Sequence, residues 1–354
     1  MEQKKAKKWF LGCLCSVIIT LFLCIAVTVI MDPYFHYHGP MKTFSYRLRE
    51  ERYTNPGIIK NYDYDAVIIG TSMVKNFKTS QMDALFGVSS IKTPIPGAMY
   101  GDMHDLMEIA FAKEEAPSLL LLSLDLDRLV KPYTSKNDEL VPYYLYDEIL
   151  LNDVQYVLNK EILVRDVFTD IVRTIQNEPT MSLDEYSAFD EKTGREAVLS
   201  AYTRLETIAD IEELTEEQKI LAKENISYNL LSFVEKYPNT KFIFFVPPYS
   251  MIYWDNEYRK GELLAQLEVK EEIMRTLLQY PNVEVYCFNE KKEWITDLDY
   301  YIDNIHYNAA ISEEILQYIA DGEYQITDET LEEHIMREKE FLLNYPYDSY
   351  FEEK

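Results

Sequence analysis

The hydrophobic pattern of the chain predicts five strands separated by helices. The strands are predicted at 66–69, 89–95, 119–124, 242–246 and 283–288, and several of these runs are continuously apolar. Continuous runs, unlike alternating ones, are typical of a parallel sheet that is covered on both faces. Helical patterns lie between the runs, so the sequence predicts β-α-β units with right-handed crossovers and an α/β fold.

Five helical patterns accompany these strands. Their predicted ranges are 79–87, 102–112, 256–280, 308–320 and 327–344. Thr79 or Ser80 can cap the first helix, Gly87 can end it, and Pro281 stops the third. The last helix is charged and amphipathic, and it follows the predicted sheet.

One connection is too long for a simple crossover. More than a hundred residues separate the third and fourth predicted strands, and they are largely acidic and helical, with the best helical patterns at 145–174 and 216–236. We interpret residues of about 134–240 as a helical insertion beside the carboxyl edge of the sheet, where it would form a lid or a partner surface.

The N-terminus has the pattern of a membrane anchor. Four lysines within the first eight residues precede a run from about Trp9 to Met31 without a charged side chain. At ~1.5 Å per residue, this run is long enough to cross a hydrocarbon core of ~30 Å. The basic flank favours a cytoplasmic N-terminus, which places the chain from Asp32 onward outside. A cleaved signal peptide is the alternative, but the run is long and no small-residue cleavage site follows it.

These patterns predict five consecutive regions. They are a cytoplasmic basic flank, a transmembrane helix, a linker, an α/β domain that contains the insertion, and an amphipathic helix with a tail, at 1–8, 9–31, 32–62, 63–323 and 324–354.

Composition narrows the expected partners. The net charge is −26, and phosphate binding needs clustered lysine and arginine, so nucleic acid is not expected as a partner. We interpret the charge as a soluble, self-repelling surface. Three of the four cysteines lie in the apolar segment, so Cys287 is alone in the soluble part and cannot form an intramolecular disulfide there. No Cys/His cluster has metal-ligand spacing, and we expect neither a metal nor a cofactor.

Two distant segments contain residue types suited to nucleophilic catalysis. The first predicted strand ends in Gly70-Thr71-Ser72, at the edge of an α/β sheet where ligands bind. Asp303 and His306 follow the last predicted strand and belong to the same edge. His306 can act as base for Ser72, and Asp303 can reach its other ring nitrogen. Taken singly, Ser72 is typical of a turn serine, Asp303 of a helix cap and His306 of a loop histidine. Their ordered combination favours one catalytic site.

An acyl-transfer site also needs donors for the developing oxyanion. The amide of Ser72 is one candidate. Gly97 follows the second predicted strand and opens a helix, and it can expose its amide without a side chain in the way. His104 is the competing base, but it falls within a predicted helix, so we interpret it as a hydrogen-bonded or pocket-wall histidine.

The order of these segments resembles the SGNH/GDSL hydrolase superfamily. In that family a Ser block follows strand one, a Gly block follows strand two, an Asn block follows strand three, and Asp-x-x-His lies near the C-terminus. Ser72, Gly97 and the pair Asp303/His306 match the first, second and fourth blocks over roughly residues 64–320, outside the insertion. The resemblance implies a flavodoxin-like three-layer sandwich with a mainly parallel five-stranded sheet and a Ser-His-Asp triad.

The third block departs from the family pattern. The residues that directly follow the third predicted strand include no asparagine, and Asp125 takes about that place. An ionised carboxylate cannot donate a hydrogen bond to an oxyanion. Two interpretations of Asp125 and Asp127 stay open, burial in a pair with Arg128 or a place in the pocket. Thr71, beside Ser72, and Tyr249, after the fourth predicted strand, are the other predicted residues of an oxyanion or substrate pocket.

The anchor, the altered third block and the segment Val246-Pro247-Pro248-Tyr249-Ser250 are similar to a membrane-anchored, outward-facing branch of that superfamily. The branch includes proteins of teichoic-acid D-alanyl transfer and acetyltransferase-like proteins of exopolysaccharide synthesis. It implies a single-pass protein of a Gram-positive cell membrane whose extracytoplasmic domain is a serine esterase or O-acyltransferase. The substrates would be acyl esters of envelope polysaccharide or teichoic-acid-like polymers, and the partners an envelope glycan or an acyl-donor membrane protein. The alternative is a non-catalytic protein of the same fold that binds glycan or scaffolds an acylation complex.

Overall fold

The computed structural model describes residues 2–137, 141–190 and 192–352. The chain forms two compact units: unit 1 comprises Met1–Tyr62 and Leu140–Ser182, and unit 2 comprises Asp63–Glu139 and Leu183–Lys354. The predicted flank, insertion and tail include residues 1, 138–140, 191, 353 and 354, which lie outside the described ranges.

The helices and strands are numbered in chain order. The α-helices are α1 Glu2–Met31, α2 Glu51–Asn61, α3 Thr79–Phe86, α4 Tyr100–Phe111, α5 Val154–Val157, α6 Phe168–Ile175, α7 Arg195–Ala201, α8 Glu216–Ile226, α9 Ser232–Lys236, α10 Met251–Lys260, α11 Leu263–Leu277, α12 Lys292–Ile295, α13 Ala309–Asp321 and α14 Leu331–Leu343. The strands are β1 Ala66–Gly70, β2 Ser90–Pro94, β3 Leu119–Ser123, β4 Lys241–Val246, β5 Val283–Cys287 and β6 Gln325–Ile326.

Unit 2 is built on a six-stranded sheet in the order β2-β1-β3-β4-β5-β6. β1 to β5 are parallel, which confirms the predicted parallel α/β sheet, and every side chain of β1, β2 and β3 is buried. The prediction of five strands was one short, because β6 pairs antiparallel with β5. β6 has two residues, and so short a strand cannot show a hydrophobic period.

Helices cover both faces of this sheet. Phe242 of β4 packs against Phe111 of α4, with ring centroids 5.8 Å apart, whereas Phe245 packs against Phe77, just before α3, at 5.5 Å. Even and odd positions of a strand point to opposite faces, so α4 and the segment before α3 lie on opposite sides of the sheet. α13 packs on α3, while α8 and α14 each pack on α11.

The helix predicted over 256–280 is two helices. α10 ends at Gly261, whose φ of +81° is in the left-handed region that glycine tolerates. A Cβ at Gly261 would lie 2.1 Å from the backbone oxygen of Asp210. The break therefore makes room for the close approach of the chain that precedes α8.

Unit 1 combines the apolar helix α1 with α2, α5 and α6. Its core contains Tyr34, Tyr156 and Ile162, packed with Ile25 and Val29 of α1. The prediction of a linker at 32–62 is corrected here, because this segment contains α2 and contributes buried aromatic side chains to the core. Their burial depends on residues more than a hundred positions later, which no local pattern reveals.

The predicted insertion is divided between the two units. Leu140–Ser182 belongs to unit 1, whereas the parts before Leu140 and from Leu183 onward belong to unit 2. The range 216–236 is helical throughout as predicted, with a π-helical turn at Ser227–Leu231 between α8 and α9. The range 145–174 is less regular than predicted, with α5, a π-helical segment at Ile162–Val167, and α6.

Among the described residues, α1 is the one helix that is long and apolar enough to cross a membrane. The length and the apolar composition of α1 are the basis for this statement.

Candidate active site

Ser72 lies directly after β1, at the carboxyl end of a strand in the interior of the sheet. β1 ends at Gly70, and Ser72 begins a 3-10 turn, Ser72–Val74, which Thr71 caps by accepting from the amide of Met73 at 3.3 Å. A Cβ at Gly70 would lie 2.6 Å from Ser123 Oγ and 2.8 Å from Val74 Cγ1. Glycine at position 70 therefore leaves room for Ser123 and Val74 to pack beside the turn that presents Ser72.

His306 and Asp303 lie in a tight loop before α13. The loop is closed by an antiparallel bridge between Tyr301 and Tyr307. Asp303 Oδ1 accepts from the amides of Ile305 and His306, each at 2.8 Å. The carboxylate thus holds the backbone of the loop with one oxygen and leaves the other oxygen for the histidine ring.

The structure brings the three predicted residues into one hydrogen-bonded chain. Ser72 Oγ is 2.7 Å from His306 Nε2, and His306 Nδ1 is 2.7 Å from Asp303 Oδ2. Burial alone would raise the pKa of Asp303, but the hydrogen bond and charge of His306 and the two loop amides outweigh it and lower that pKa below its ordinary value. An ionised Asp303 favours the ring tautomer with a proton on Nδ1, which leaves Nε2 free to accept the serine proton.

Asn76 and Tyr307, which the sequence analysis did not single out, hold the two loops together. The hydroxyl of Tyr307 donates to the carbonyl of Met73 at 2.7 Å, and Asn76 Nδ2 donates to the carbonyl of Tyr307 at 3.3 Å. Asn76 Oδ1 also accepts from the amide of Phe189 at 2.9 Å. Neither residue belongs to a motif, so no sequence signal other than nearness to Ser72 and His306 indicated them.

A cavity lies beside Ser72 and His306. Among the described residues of the predicted insertion, Phe189 is the one that lines it. Its ring centroid is 5.0 Å from that of His306. Lys75 Nζ lies 4.1 Å from the centre of the same Phe189 ring. The Phe189 ring is tilted by 55° from the imidazole and forms part of its apolar surroundings.

Two backbone amides are available as oxyanion donors. In the described part of the chain, neither the amide of Ser72 nor that of Gly97 donates to a protein acceptor. Gly97 has φ +67° and no atom within 4 Å of the position that a Cβ would take. Both residues line a cavity of about 330 Å³ together with His306.

The structure decides between the two interpretations of Asp125. Its carboxylate accepts from Thr71 Oγ1 and from Ser123 Oγ, each at 2.9 Å, while Arg128 pairs with Asp127 at 3.2 Å. Asp125 and Thr71 therefore belong to the wall of the Ser72 cavity. Burial, and after it the charge of Asp127, raise the pKa of Asp125 to about 7, against the lowering effect of the two hydroxyl donors.

The raised pKa of Asp125 predicts a pH effect on stability. Between its unfolded value, 3.8, and about 7, the folded state keeps a proton that the unfolded state has lost. The free energy of unfolding therefore falls as pH rises through this window. Asp125→Asn removes this titration, so we expect a flatter dependence of the unfolding midpoint on pH, measured by chemical denaturation. Because other groups titrate in both proteins, the difference between the two curves reports Asp125, and parallel curves would contradict the assignment.

Tyr249 lies in the same cavity wall, as predicted for a pocket residue. Its side chain is buried, and its hydroxyl has no hydrogen-bond partner among the described residues. Burial, and next the charge of Asp125, raise the pKa of Tyr249 well above its ordinary value. The hydroxyl therefore keeps its proton and is an unused donor.

A second cavity, of about 360 Å³, adjoins the first. The two share Asp127, Tyr253 and Ile305 in their walls. Glu212, Leu214 and Gln218 of the predicted insertion line its far side, beside α10 and α11. A reactant in this second cavity would be next to the Ser72 cavity.

His104 lies outside both cavities. It is on α4 and its ring stacks on that of Tyr228, with centroids 4.8 Å apart. It is therefore a packed histidine rather than a competing base.

One further group of side chains comes together away from these cavities. Cys287 at the end of β5 and His334 and Glu338 on α14 are buried, and their possible ligand atoms lie within 4.8 Å of one another. No sequence pattern indicated this group, because Cys287 is distant along the chain from the other two. The ammonium of Lys270 contacts the Glu338 carboxylate, which also accepts from Asn289 Nδ2 at 3.0 Å. Glu338 is thus already paired with a cation, and we assign no metal to this group.

Comparison with known proteins adds a distant structural likeness. No family model matches the chain, and no curated protein matches it. A solved structure described as a "putative platelet activating factor from Streptococcus pneumonia" is 12% identical and has a TM-score of 0.40, covering 77% of this chain and 91% of that chain. At this level of similarity the geometry of Ser72, His306 and Asp303 is the basis for any functional assignment.

Proposed function

We propose that this protein is a membrane-anchored serine esterase or O-acyltransferase of the SGNH/GDSL type. The observation that carries the proposal is the chain of two 2.7 Å contacts from Ser72 Oγ through His306 to Asp303. A serine hydroxyl is a poor nucleophile unless a base accepts its proton, and this arrangement supplies both the base and the group that orients it.

The reaction would proceed through an acyl-enzyme. Ser72 Oγ forms a bond to the ester carbonyl carbon while its proton passes to His306 Nε2, and Asp303 stabilises the resulting imidazolium. The amides of Ser72 and Gly97 donate to the oxyanion. The C–O bond to the leaving alcohol then breaks, and His306 returns the proton to the departing oxygen. Water or a second hydroxyl attacks the acyl-enzyme by the same steps in reverse.

Tyr249 is proposed as the third oxyanion donor, in place of the asparagine that the third block lacks. We expect Tyr249→Phe to lower kcat for a small ester by about 10²-fold, the usual effect of removing one oxyanion donor. Tyr253→Phe is the matched control, because the Tyr253 hydroxyl in the same wall already donates to Gln266 Oε1 at 2.6 Å. Equal effects of the two variants, measured with p-nitrophenyl acetate, would contradict the assignment of Tyr249.

The adjoining cavity supports acyl transfer beside hydrolysis. Transfer needs a bound acceptor hydroxyl and restricted access of water. The second cavity is walled by polar side chains such as Gln218, Asn256 and Gln266 and opens next to Ile305, one residue before the base. An envelope polysaccharide or a teichoic-acid-like polymer would supply such a hydroxyl.

The anchor supports an envelope location. α1 is long and apolar enough to span a bilayer, and its lysine-rich flank favours an extracytoplasmic position for the rest of the chain. Acyl esters of the cell envelope, in a Gram-positive bacterium, are the substrates proposed for that location.

A fluorophosphonate probe tests the proposal on the full-length protein in membranes. We expect covalent labelling at Ser72, located by peptide mapping, and its loss in Ser72→Ala. Ser200→Ala, at an exposed serine of α7, should label as the wild type does. If the folded wild-type protein is not labelled, the catalytic proposal fails. A Ser72→Ala variant that keeps its biological role would favour the non-catalytic alternative.

A further inference from the structure

Unit 1 exposes a set of large apolar side chains close together along the chain. We call this set the apolar shelf; it consists of Ile149, Leu150, Leu151, Val154, Val164 and Phe168. Leu150 and Leu151 are 78% and 90% exposed. Single exposed apolar side chains are ordinary, but a concentration of them marks a contact surface.

Two of the elements that bear the shelf pack against α1. Both α5 and the π-helical segment Ile162–Val167 contact α1. In the core beneath them, Tyr156 and Ile162 pack with Ile25 and Val29, near the C-terminal end of α1. Val154 and Val164 therefore lie on elements that contact α1, and the other shelf residues directly flank these elements along the chain.

Hydrogen bonds strengthen this attachment. Asp32, the first residue after α1, is buried, and its Oδ1 accepts from the hydroxyl of Tyr156 on α5 at 2.8 Å. The same hydroxyl accepts from the amide of Tyr34 at 3.3 Å. Because α5 is bonded to the residues that leave α1, a change of tilt of α1 would carry α5 with it.

The length of α1 indicates how deep in a bilayer its contacts with α5 and the π-helical segment would lie. Counted from Trp9, about 20 residues at ~1.5 Å each cover the ~30 Å of a hydrocarbon core and end near Val29. The part of α1 that could span is 6% buried, so its surface is open to lipid within the described structure. The elements packed on Ile25 and Val29 are then at the boundary between hydrocarbon and headgroups.

We propose that the apolar shelf inserts into the outer interface of the same bilayer that α1 crosses. This inference rests on the membrane anchorage in the proposed function, but not on the catalytic activity. Lipid is the occupant that the structure favours, because the shelf lies on and beside elements that contact a helix open to lipid and because Leu150 and Leu151 lie in a turn before α5 rather than on a flat packing face. A fluid acyl-chain region accommodates such a projecting turn.

The charges around the shelf sharpen this expectation. Exposed Lys160 and Arg165 are accompanied by exposed Glu148 and Glu161, so both signs are present. The contact of the shelf with the bilayer should therefore depend on the apolar side chains. Its extent should be similar in vesicles of neutral and of anionic lipids.

Site-specific photocrosslinking tests the proposal in the full-length protein. Benzoylphenylalanine replaces Leu151 or Phe168, and Ile220, an exposed isoleucine on α8 of unit 2, is the matched control position. We expect lipid adducts, identified by mass spectrometry after irradiation of native membranes, from Leu151 and Phe168 but not from Ile220. Adducts to a protein at Leu151 would overturn lipid as the occupant in favour of a membrane-protein partner, and the absence of any adduct would overturn the contact itself.

A second measurement uses purified protein in vesicles with brominated acyl chains. Leu151→Trp should show quenching beyond that of the native tryptophans, and Ile220→Trp should not; equal quenching of the two variants would contradict the proposal. Resistance of the protein to carbonate extraction reports the anchor separately. Loss of anchorage would refute the membrane part of the proposed function, whereas an anchored protein without lipid adducts would refute the shelf alone.

Discussion

Replacement of Asp303 by asparagine is expected to lower kcat for a small ester by about 10⁴-fold. Asparagine can still accept from the amides of Ile305 and His306, so the loop should keep its shape. It cannot reproduce the carboxylate at His306 Nδ1, however, and its amide N–H would favour the ring tautomer with the proton on Nε2. In that tautomer His306 cannot accept the proton of Ser72.

Asp321→Asn, at the exposed end of α13, is the matched control for this chemical change and should leave kcat unchanged. The thermal unfolding of Asp303→Asn should resemble that of the wild type, which separates a catalytic effect from misfolding. A loss smaller than roughly 10²-fold, the lower end of what positioned acid–base catalysis contributes, would mean that Asp303 does not orient the base.

Replacement of Lys270 by methionine is expected to destabilise the protein by about 3–5 kcal/mol. Lys270 and Glu338 are both almost fully buried and contact each other. Without the ammonium, the Glu338 carboxylate would remain in the interior with Asn289 Nδ2 at 3.0 Å and His334 Nε2 at 3.6 Å as its nearest polar groups. A buried charge that loses its partner costs much more than the pair contributes as a unit.

The double variant Lys270→Met/Glu338→Met should therefore regain most of the stability that Lys270→Met loses. Lys219→Met provides a control on the surface, where Lys219 pairs with Glu216 at 2.8 Å on α8, and should not measurably shift the midpoint of denaturation. If Lys270→Met unfolds at the same denaturant concentration as the wild type, Glu338 is uncharged in the folded protein and the ion pair is wrongly assigned.

The fold of unit 2 was largely predictable, because its strands are buried on both faces. A run such as Leu119–Ser123 lies in the interior from end to end, so its composition alone marks it as a central strand. β6 was missed because it is short, and the break at Gly261 was missed because its cause is the backbone of Asp210, far from α10 in sequence. Local patterns record burial and turns, but not which distant segment supplies the neighbour.

Unit 1 was the least predictable part for the same reason. Residues 32–62 show no hydrophobic period, yet Tyr34 is buried with Tyr156 and Leu145. The hydroxyl of Tyr34 also donates to Asp166 at 2.8 Å. Aromatic residues with polar ends can fill such a core without the regular spacing of an amphipathic helix, so the sequence suggested a linker.

The candidate site divides in a similar way. Ser72, His306 and Asp303 were found from their residue types and from their positions at the ends of predicted strands, and they lie in hydrogen-bond contact. Their catalytic role stays a prediction. Asn76, Tyr307 and Phe189 were not found, because their importance comes from bonds between loops that are distant along the chain.

The sequence by itself determined the parallel α/β sheet, the apolar N-terminal helix and the placement of Ser72, His306 and Asp303 at one edge of the sheet, since each depends on local composition and on the order of elements. Only the tertiary structure decided the contacts of Asp125, the pairing of Lys270 with Glu338, and the attachment of the segment around Tyr156 to the end of α1. These depend on burial and on partners far away in sequence, and a hydrogen bond or an ion pair exists only once folding has brought both groups to the same place.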